Sequence, residues 1–320
     1  MRHQLWRWAS VACPFVTLAV VVWRLGTGPF IDGVRTINAT ALAAAAGLAL
    51  LTTVCSAWRW QTVAGGLHVK LSLHRAVAAY YRSQFLNLTL PGGVLGDVHR
   101  GISHGRDVRD IGRGLRAVWW ERTAGQVVQV TATAAILLAL PSPVQSSMPL
   151  VVGGLAVLLG AVVVAARARP AGRSAWARVR ATAARDLREA VLARRAWLGI
   201  VLASAVVVAG HTATFIVAAH TAGTTAPLSK LIPIALLVMM AMVLPSAAGW
   251  GPREGITAWA FGAAGLGAHH GVAASVVYGV MVLVASLPGA AVLVAAWLRR
   301  DRSPARRERP APIREEAVHA

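Results

Sequence analysis

Six apolar runs recur along the chain, at about residues 9–23, 39–57, 117–140, 148–166, 197–220 and 272–297. Most approach or exceed the roughly 20 helical residues that cross about 30 Å of hydrocarbon. The repetition leaves few folds open. With no water in a bilayer core to satisfy backbone polar groups, spanning segments are helices or closed barrels. Barrel strands would read as short alternating segments, whereas these runs are continuous. The expected fold class is an all-α polytopic membrane protein with about six to eight transmembrane helices. Composition agrees, since 56% of the 320 residues are hydrophobic and only 14% charged. A soluble domain of this size carries more charge.

A formal net charge of +20 raises the question of nucleic acid. The arginines sit between the apolar runs, where topology signals lie, and no domain is present to offer a groove-reading element. Nucleic acid is therefore not an expected partner. Membrane phospholipids are, with anionic headgroups at the inner leaflet meeting the basic charge. Cys13 and Cys55 both lie in apolar runs and form neither a disulfide framework nor a metal site. Arg2 and Arg7 before the run at Ala9–Trp23 imitate a secretory leader. Trp23-Arg24-Leu25 offers no small-residue cleavage site, so this run reads as the first membrane helix.

Arginine placement predicts topology. Loop 167–196 carries Arg167, Arg169, Arg173, Arg178, Arg180, Arg185, Arg188, Arg194 and Arg195. Segment 99–116 and the tail from Arg299 are also arginine-rich, and all three should face the cytoplasm. Connections 141–147 and 221–227 carry no arginine and suit the outside of a plasma membrane. With both termini cytoplasmic, two interrupted stretches must return to the side they came from. One is 71–96, ending in Leu90-Pro91-Gly92-Gly93; the other is 228–267, broken at Leu244-Pro245 and by glycines. Each is a re-entrant hairpin or a pair of short crossings.

The chain then divides into a membrane unit at 1–140, a second at 141–298 and a disordered basic tail at 299–320. Both units run as two spans, a hairpin and a span, in opposite orientations. This is the inverted-repeat plan of transporters whose sites form at broken helices; a kinked bundle without symmetry is the alternative. Within loop 167–196, Trp176, Val179, Ala183, Leu187 and Val191 recur at helical spacing. They predict an amphipathic helix on the membrane surface or, alternatively, a solvated basic linker.

Ionisable groups inside membrane segments cost roughly 2.5–3.5 kcal/mol each on insertion scales and so point to function. Asp97, Glu121 and Glu254 are the acidic candidates, with Arg100, Arg122 and Arg253 beside them and Arg82 and Asn87 in the first hairpin. In one reading they line a cavity for a lipid headgroup, where an arginine fork meets phosphate and a carboxylate meets an amine. In the other they neutralise one another and hold the hairpins. Pro91, Gly92, Gly93 and Gly96, with Pro245, Ser246, Gly249, Gly251, Pro252 and Gly255, suit hairpin tips that turn within the membrane. No metalloprotease helix and no phosphate-binding glycine loop occurs. His211 and His220 lie nine residues apart, and His269-His270 stands alone. No catalytic residue, metal or cofactor is expected, and the chain does not read as an enzyme.

Three of these stretches carry a resemblance. Phe85-Leu86-Asn87-Leu88-Thr89-Leu90-Pro91-Gly92-Gly93, with Gly96-Asp97 and Arg100, is similar to the first motif of the lysylphosphatidylglycerol synthase transmembrane family. Glu121-Arg122 with Ala124-Gly125 resembles its second motif. Leu244-Pro245-Ser246, with Gly249, Gly251, Pro252, Arg253, Glu254 and Gly255, resembles its third, departing at Ala247 and Ala248 where the family is richer in glycine. The resemblance implies a membrane domain that translocates lipids, as aminoacyl-phospholipid flippases do. In full-length synthases a separate soluble domain makes the aminoacyl lipid, and nothing after residue 298 corresponds to it. The expectation is a flippase or scramblase for polar phospholipids, aminoacylated or anionic ones among them. The alternatives are a membrane-embedded transferase using Asp97 and Glu121 on lipid-linked substrates, or a non-catalytic partner that recruits enzymes through loop 167–196.

Overall fold

A computed structural model describes residues 19–20, 22–90, 93–142, 144–145, 175–242 and 250–301, with isolated positions between 153 and 164. The runs expected at 9–23 and 148–166 fall mostly outside the described residues. So do Pro91, Gly92, Pro245, Ser246, Gly249, the side chain of Trp176 and most of the tail.

Among the described residues the architecture is all-helical. The helices are α1 (Gly28–Arg35), α2 (Ala39–Gly66), α3 (Leu73–Thr89), α4 (Leu95–Asp107) and α5 (Ile111–Ala139). They continue as α6 (Ala175–Asp186), α7 (Trp197–Thr221), α8 (Leu228–Ala241), α9 (Pro252–Ala263) and α10 (Ala268–Asp301). Three of them are long and apolar enough to cross a membrane: α2 with 28 residues, α7 with 25, and Ala268–Arg299 of α10 with 32. Helix α5 is equally long at 29 residues but carries ionised side chains, and α8 is apolar but short.

Local chemistry sets the boundaries. Asn38 starts α2 by accepting from the Ala41 amide at 2.8 Å, and Asp110 starts α5 by accepting from the Arg113 amide at 2.8 Å; both satisfy an otherwise orphaned donor. Pro252 opens α9, where its fixed φ and missing N–H suit a first helical position.

Helix α2 lies along α7, and α10 packs on α1, α2, α3, α7 and α9. Helix α3 also packs on α2 and α4, α5 on α2, α4 and α7, and α8 on α5, α7 and α9. Close approach rests on small residues, as in other membrane helix pairs. Gly210 of α7 sits against Thr52 of α2, Gly289 of α10 against the Tyr81 carbonyl of α3, and Gly96 of α4 against the Ser83 carbonyl of α3. One apolar core gathers around Phe215, Leu231, Ile234, Phe261 and Tyr278, and another around Trp60, Val63, Tyr80 and Trp120.

The two interrupted stretches each fold as a pair of helices. Helix α3 ends at Thr89 and α4 begins at Leu95, and α4 runs on to Asp107, burying Arg100 from the basic segment 99–116. Helix α8 ends at Ala241, α9 begins at Pro252, and the two pack on each other. In the basic loop, α6 continues as a π-turn over Leu187–Val191. Its last turns dock on the bundle, with Asp186 accepting from Arg116 Nε at 2.8 Å and from Trp120 Nε1 at 3.3 Å. Ala183, Leu187 and Val191 pack there against the bundle, whereas Val179 is exposed.

Candidate functional site

Helix α5 carries Glu121 to side chains of α2, α3 and α4, where it is fully buried. Its Oε1 accepts from Arg59 Nε at 3.0 Å, from Arg59 Nη2 at 2.5 Å and from the Tyr80 hydroxyl at 3.0 Å. Its Oε2 accepts from Arg100 Nη2 at 3.0 Å. The same Nη2 donates to Asp97 Oδ1 at 3.0 Å, so Arg100 bridges the two carboxylates. Arg59 reaches further, donating from Nη1 to Ser204 Oγ on α7 at 2.8 Å.

Asp97 stands in the first turn of α4, where a carboxylate suits the helix dipole. Its Oδ1 also accepts from Ser83 Oγ at 3.0 Å, and its Oδ2 from Asn87 Nδ2 at 2.9 Å and from Arg122 Nη2 at 2.5 Å. Asn87 works in both directions, because its Oδ1 accepts from the Gly96 amide at 2.7 Å. Ser83 and Asn87 of α3 thereby hold the first turn of α4. Aromatic faces cover Arg100, with the guanidinium carbon 4.5 Å from the Trp60 ring centre and 4.1 Å from that of Tyr80. Such stacking suits a desolvated guanidinium.

The result is one connected cluster of three guanidiniums and two carboxylates. The side chains of Arg59, Asp97, Arg100 and Glu121 are at most 12% exposed, but that of Arg122 is 41% exposed. Arg122 is the member open to the surroundings. Arg82 is half-buried on α3, one position before Ser83.

A second, smaller centre forms where α9 begins. Glu254 Oε2 accepts from the Gly251 amide at 2.7 Å, closing the first turn. Its Oε1 accepts from Arg253 Nε at 2.9 Å, from Arg253 Nη2 at 2.5 Å and from Ser275 Oγ of α10 at 3.1 Å. The Arg253 guanidinium lies 5.2 Å from the Trp250 ring centre and 5.7 Å from that of Tyr278. Both charged side chains are buried, and the pair is neutral. Gly251 adopts φ +110° to make this entry, a backbone open to glycine without a Cβ clash. The Gly255 amide donates to its carbonyl at 3.1 Å. Glycines seat both guanidiniums: Gly125 faces that of Arg59 and Gly279 that of Arg253.

The structure thus joins Asn87, Asp97, Arg100, Glu121 and Arg122 in one network and places Arg253 and Glu254 in another. The pairing differs from sequence adjacency, because Arg122 bonds Asp97 while Glu121 takes Arg59 and Arg100. Sequence reasoning missed Arg59, Tyr80, Ser83, Ser204 and Ser275. Arg59 had a readable signal, since it continues the stripe Thr52, Ser56, Arg59, Val63 that α2 buries. His220 Nδ1 is 2.8 Å from the Thr224 carbonyl, and His270 Nδ1 is 3.2 Å from that of Leu266.

Comparison with known proteins agrees with the motifs. No curated protein matched the chain. The family model described as the lysylphosphatidylglycerol synthase TM region matches residues 8–289, which include every site residue described above, and this membrane protein belongs to that family.

Proposed function

We propose that this chain moves polar phospholipids between the leaflets of a membrane, as a flippase or scramblase, without covalent chemistry of its own. The observation that carries the reading is the buried ionic cluster of Arg59, Asp97, Arg100, Glu121 and Arg122, with Arg122 as its exposed end. Ions deep in an apolar bundle are expensive and mark substrate pathways. A lipid enters sideways with its tails in hydrocarbon, and its headgroup phosphate meets the planar fork of Arg122.

The helix contacts support an inverted repeat of α2–α5 and α7–α10. Exchanging the two sets leaves α2 on α7 and turns every other packing pair among these helices into another observed pair. Helix α3 on α10 becomes α8 on α5, and α4 on α5 becomes α9 on α10. The runs at 9–23 and 148–166 complete six to eight crossings in this scheme, with both termini cytoplasmic in a plasma membrane. The neutral Arg253–Glu254 centre then occupies in the second repeat the place of the first cluster, and the headgroup passes from one to the other.

A transferase would need a carboxylate free to act as a base. Asp97 and Glu121 each accept bonds from two arginines already, which favours transport over catalysis. Translocation of headgroup-labelled lipid in proteoliposomes tests the reading. Wild type should move lipid, while folded Glu254→Gln and Arg253→Ala variants should not. Wild-type protein that moves no lipid from a panel of anionic, zwitterionic and lysyl lipids sinks it, and appearance of a modified lipid would favour the transferase.

A further inference from the structure

The first cluster carries its own charge account. Arg59, Arg100 and Arg122 face Asp97 and Glu121, so one positive charge is left over within the connected network. The second centre cannot absorb it, because Arg253 and Glu254 already balance each other. We infer that the headgroup taken by the first cluster is net anionic, a phosphodiester with no amine to balance it. The inference rests on the proposed transport of lipids and names the class of cargo.

Acceptor geometry points the same way. Asp97 already accepts four hydrogen bonds, from Ser83, Asn87, Arg100 and Arg122. Glu121 also accepts four, two from Arg59 and one each from Tyr80 and Arg100. An ionised carboxylate offers about four lone-pair sites, so a lysyl or ethanolamine ammonium finds no carboxylate left to receive it. Donors remain. Arg122 Nε has no hydrogen-bond partner among the described residues but is itself buried, whereas the side chain as a whole is 41% exposed. Arg100 Nε and Nη1 also lack partners among the described residues, but the rings of Trp60 and Tyr80 cover that guanidinium. The excess charge is therefore accessible at Arg122, whose side chain is the exposed part of the cluster and the one an incoming phosphate oxygen can reach.

The test is binding by the full chain in detergent micelles, read as thermal stabilisation over a lipid titration. The probes are phosphatidylglycerol, phosphatidylcholine, lysyl-phosphatidylglycerol and water-soluble glycerol phosphate. Phosphatidylglycerol should bind about tenfold or more tightly than the zwitterionic and cationic lipids. Arg122→Gln should bring that ratio close to one, while Arg122→Lys, which keeps the charge, should retain a preference. Equal affinity for phosphatidylglycerol and phosphatidylcholine in wild type overturns the inference, as does a preference that survives Arg122→Gln. Glycerol phosphate binding as tightly as phosphatidylglycerol overturns the lipid source and points to a soluble phosphate. Wild type and Arg122→Lys decide the matter if Arg122→Gln does not fold. Proteoliposome transport run alongside separates the two ideas. Anion-selective binding without movement of any lipid retires the transport reading and leaves the site, whereas movement with no headgroup preference in binding does the reverse.

Discussion

Arg59 on α2 and Glu121 on α5 lie 62 positions apart in the chain, yet two guanidinium nitrogens of the first meet one carboxylate oxygen of the second. Both side chains are almost completely withdrawn from the surface. The bond ties the first long apolar helix to the charged one and, through Ser204, reaches α7 as well.

Removing the acid should be severe. Glu121→Gln leaves Arg59 and Arg100 buried without their shared counter-ion, a change that costs about 3–5 kcal/mol in comparable buried pairs. Thermal unfolding in detergent should show a large drop in midpoint for this variant. A midpoint within 2 °C or so of wild type would mean that the cluster is wetter than its geometry indicates.

A methyl group at Gly96 should separate the first helix pair. Its Cβ would fall on the Ser83 carbonyl oxygen and against Asn87 Oδ1, in two residues of α3 whose side chains donate to Asp97. Gly96→Ala should destabilise by about 1–3 kcal/mol, the range for overpacking, and should slow lipid translocation more than an alanine at the exposed Gly47. Equal rates for the two variants would separate the helix contact from function.

The entry to α9 makes a conformational prediction. Gly251→Ala forces a Cβ into φ +110°, which should cost about 1–3 kcal/mol. Gly251→Asn should be less damaging than Gly251→Val, since Asn tolerates positive φ better than β-branched residues do. The ranking is read from melting midpoints, and a Val variant as stable as the glycine parent would contradict the backbone geometry.

The docking of the basic helix is weaker and more accessible. Asp186→Ala removes the acceptor shared by Arg116 and Trp120, and Arg116 is 40% exposed. The expected stability cost is modest, about 1–2 kcal/mol. The clearer readout is limited trypsin digestion, which should cut within residues 178–195 several-fold faster than in wild type. Unchanged cleavage would show that packing of Leu187 and Ala190 suffices to hold the turn.

Much of this was legible in the residues, but not the pairing. The runs at 39–57, 197–220 and 272–297 correspond to α2, α7 and α10, because long apolar stretches dominate hydropathy. Arg59 escaped because the apolar run ends at Ala57 and an arginine there reads as a topology signal, although α2 continues to Gly66. Glu121 and Arg122 were paired by adjacency, yet consecutive helical residues point about 100° apart. Asp97 and Arg100, three apart on one helix face, do meet. Arg253 and Glu254 meet although adjacent, in the first turn of α9 where the Glu254 side chain folds back to the Gly251 amide. Ser83, Tyr80 and Ser204 carry no charge in sequence terms, so only the fold reveals them.

The Arg59–Glu121 bond also has a history within each molecule's synthesis. At about 5–20 residues per second, the arginine leaves the ribosome roughly 3–12 s before its partner. Arg100 follows in that interval, and it too waits for Glu121. The polypeptide therefore faces a period in which two cations have been made and the acid that joins them has not. Helix α2 cannot settle against α5 until the later helix arrives, and its bond to Ser204 waits longer still, for α7.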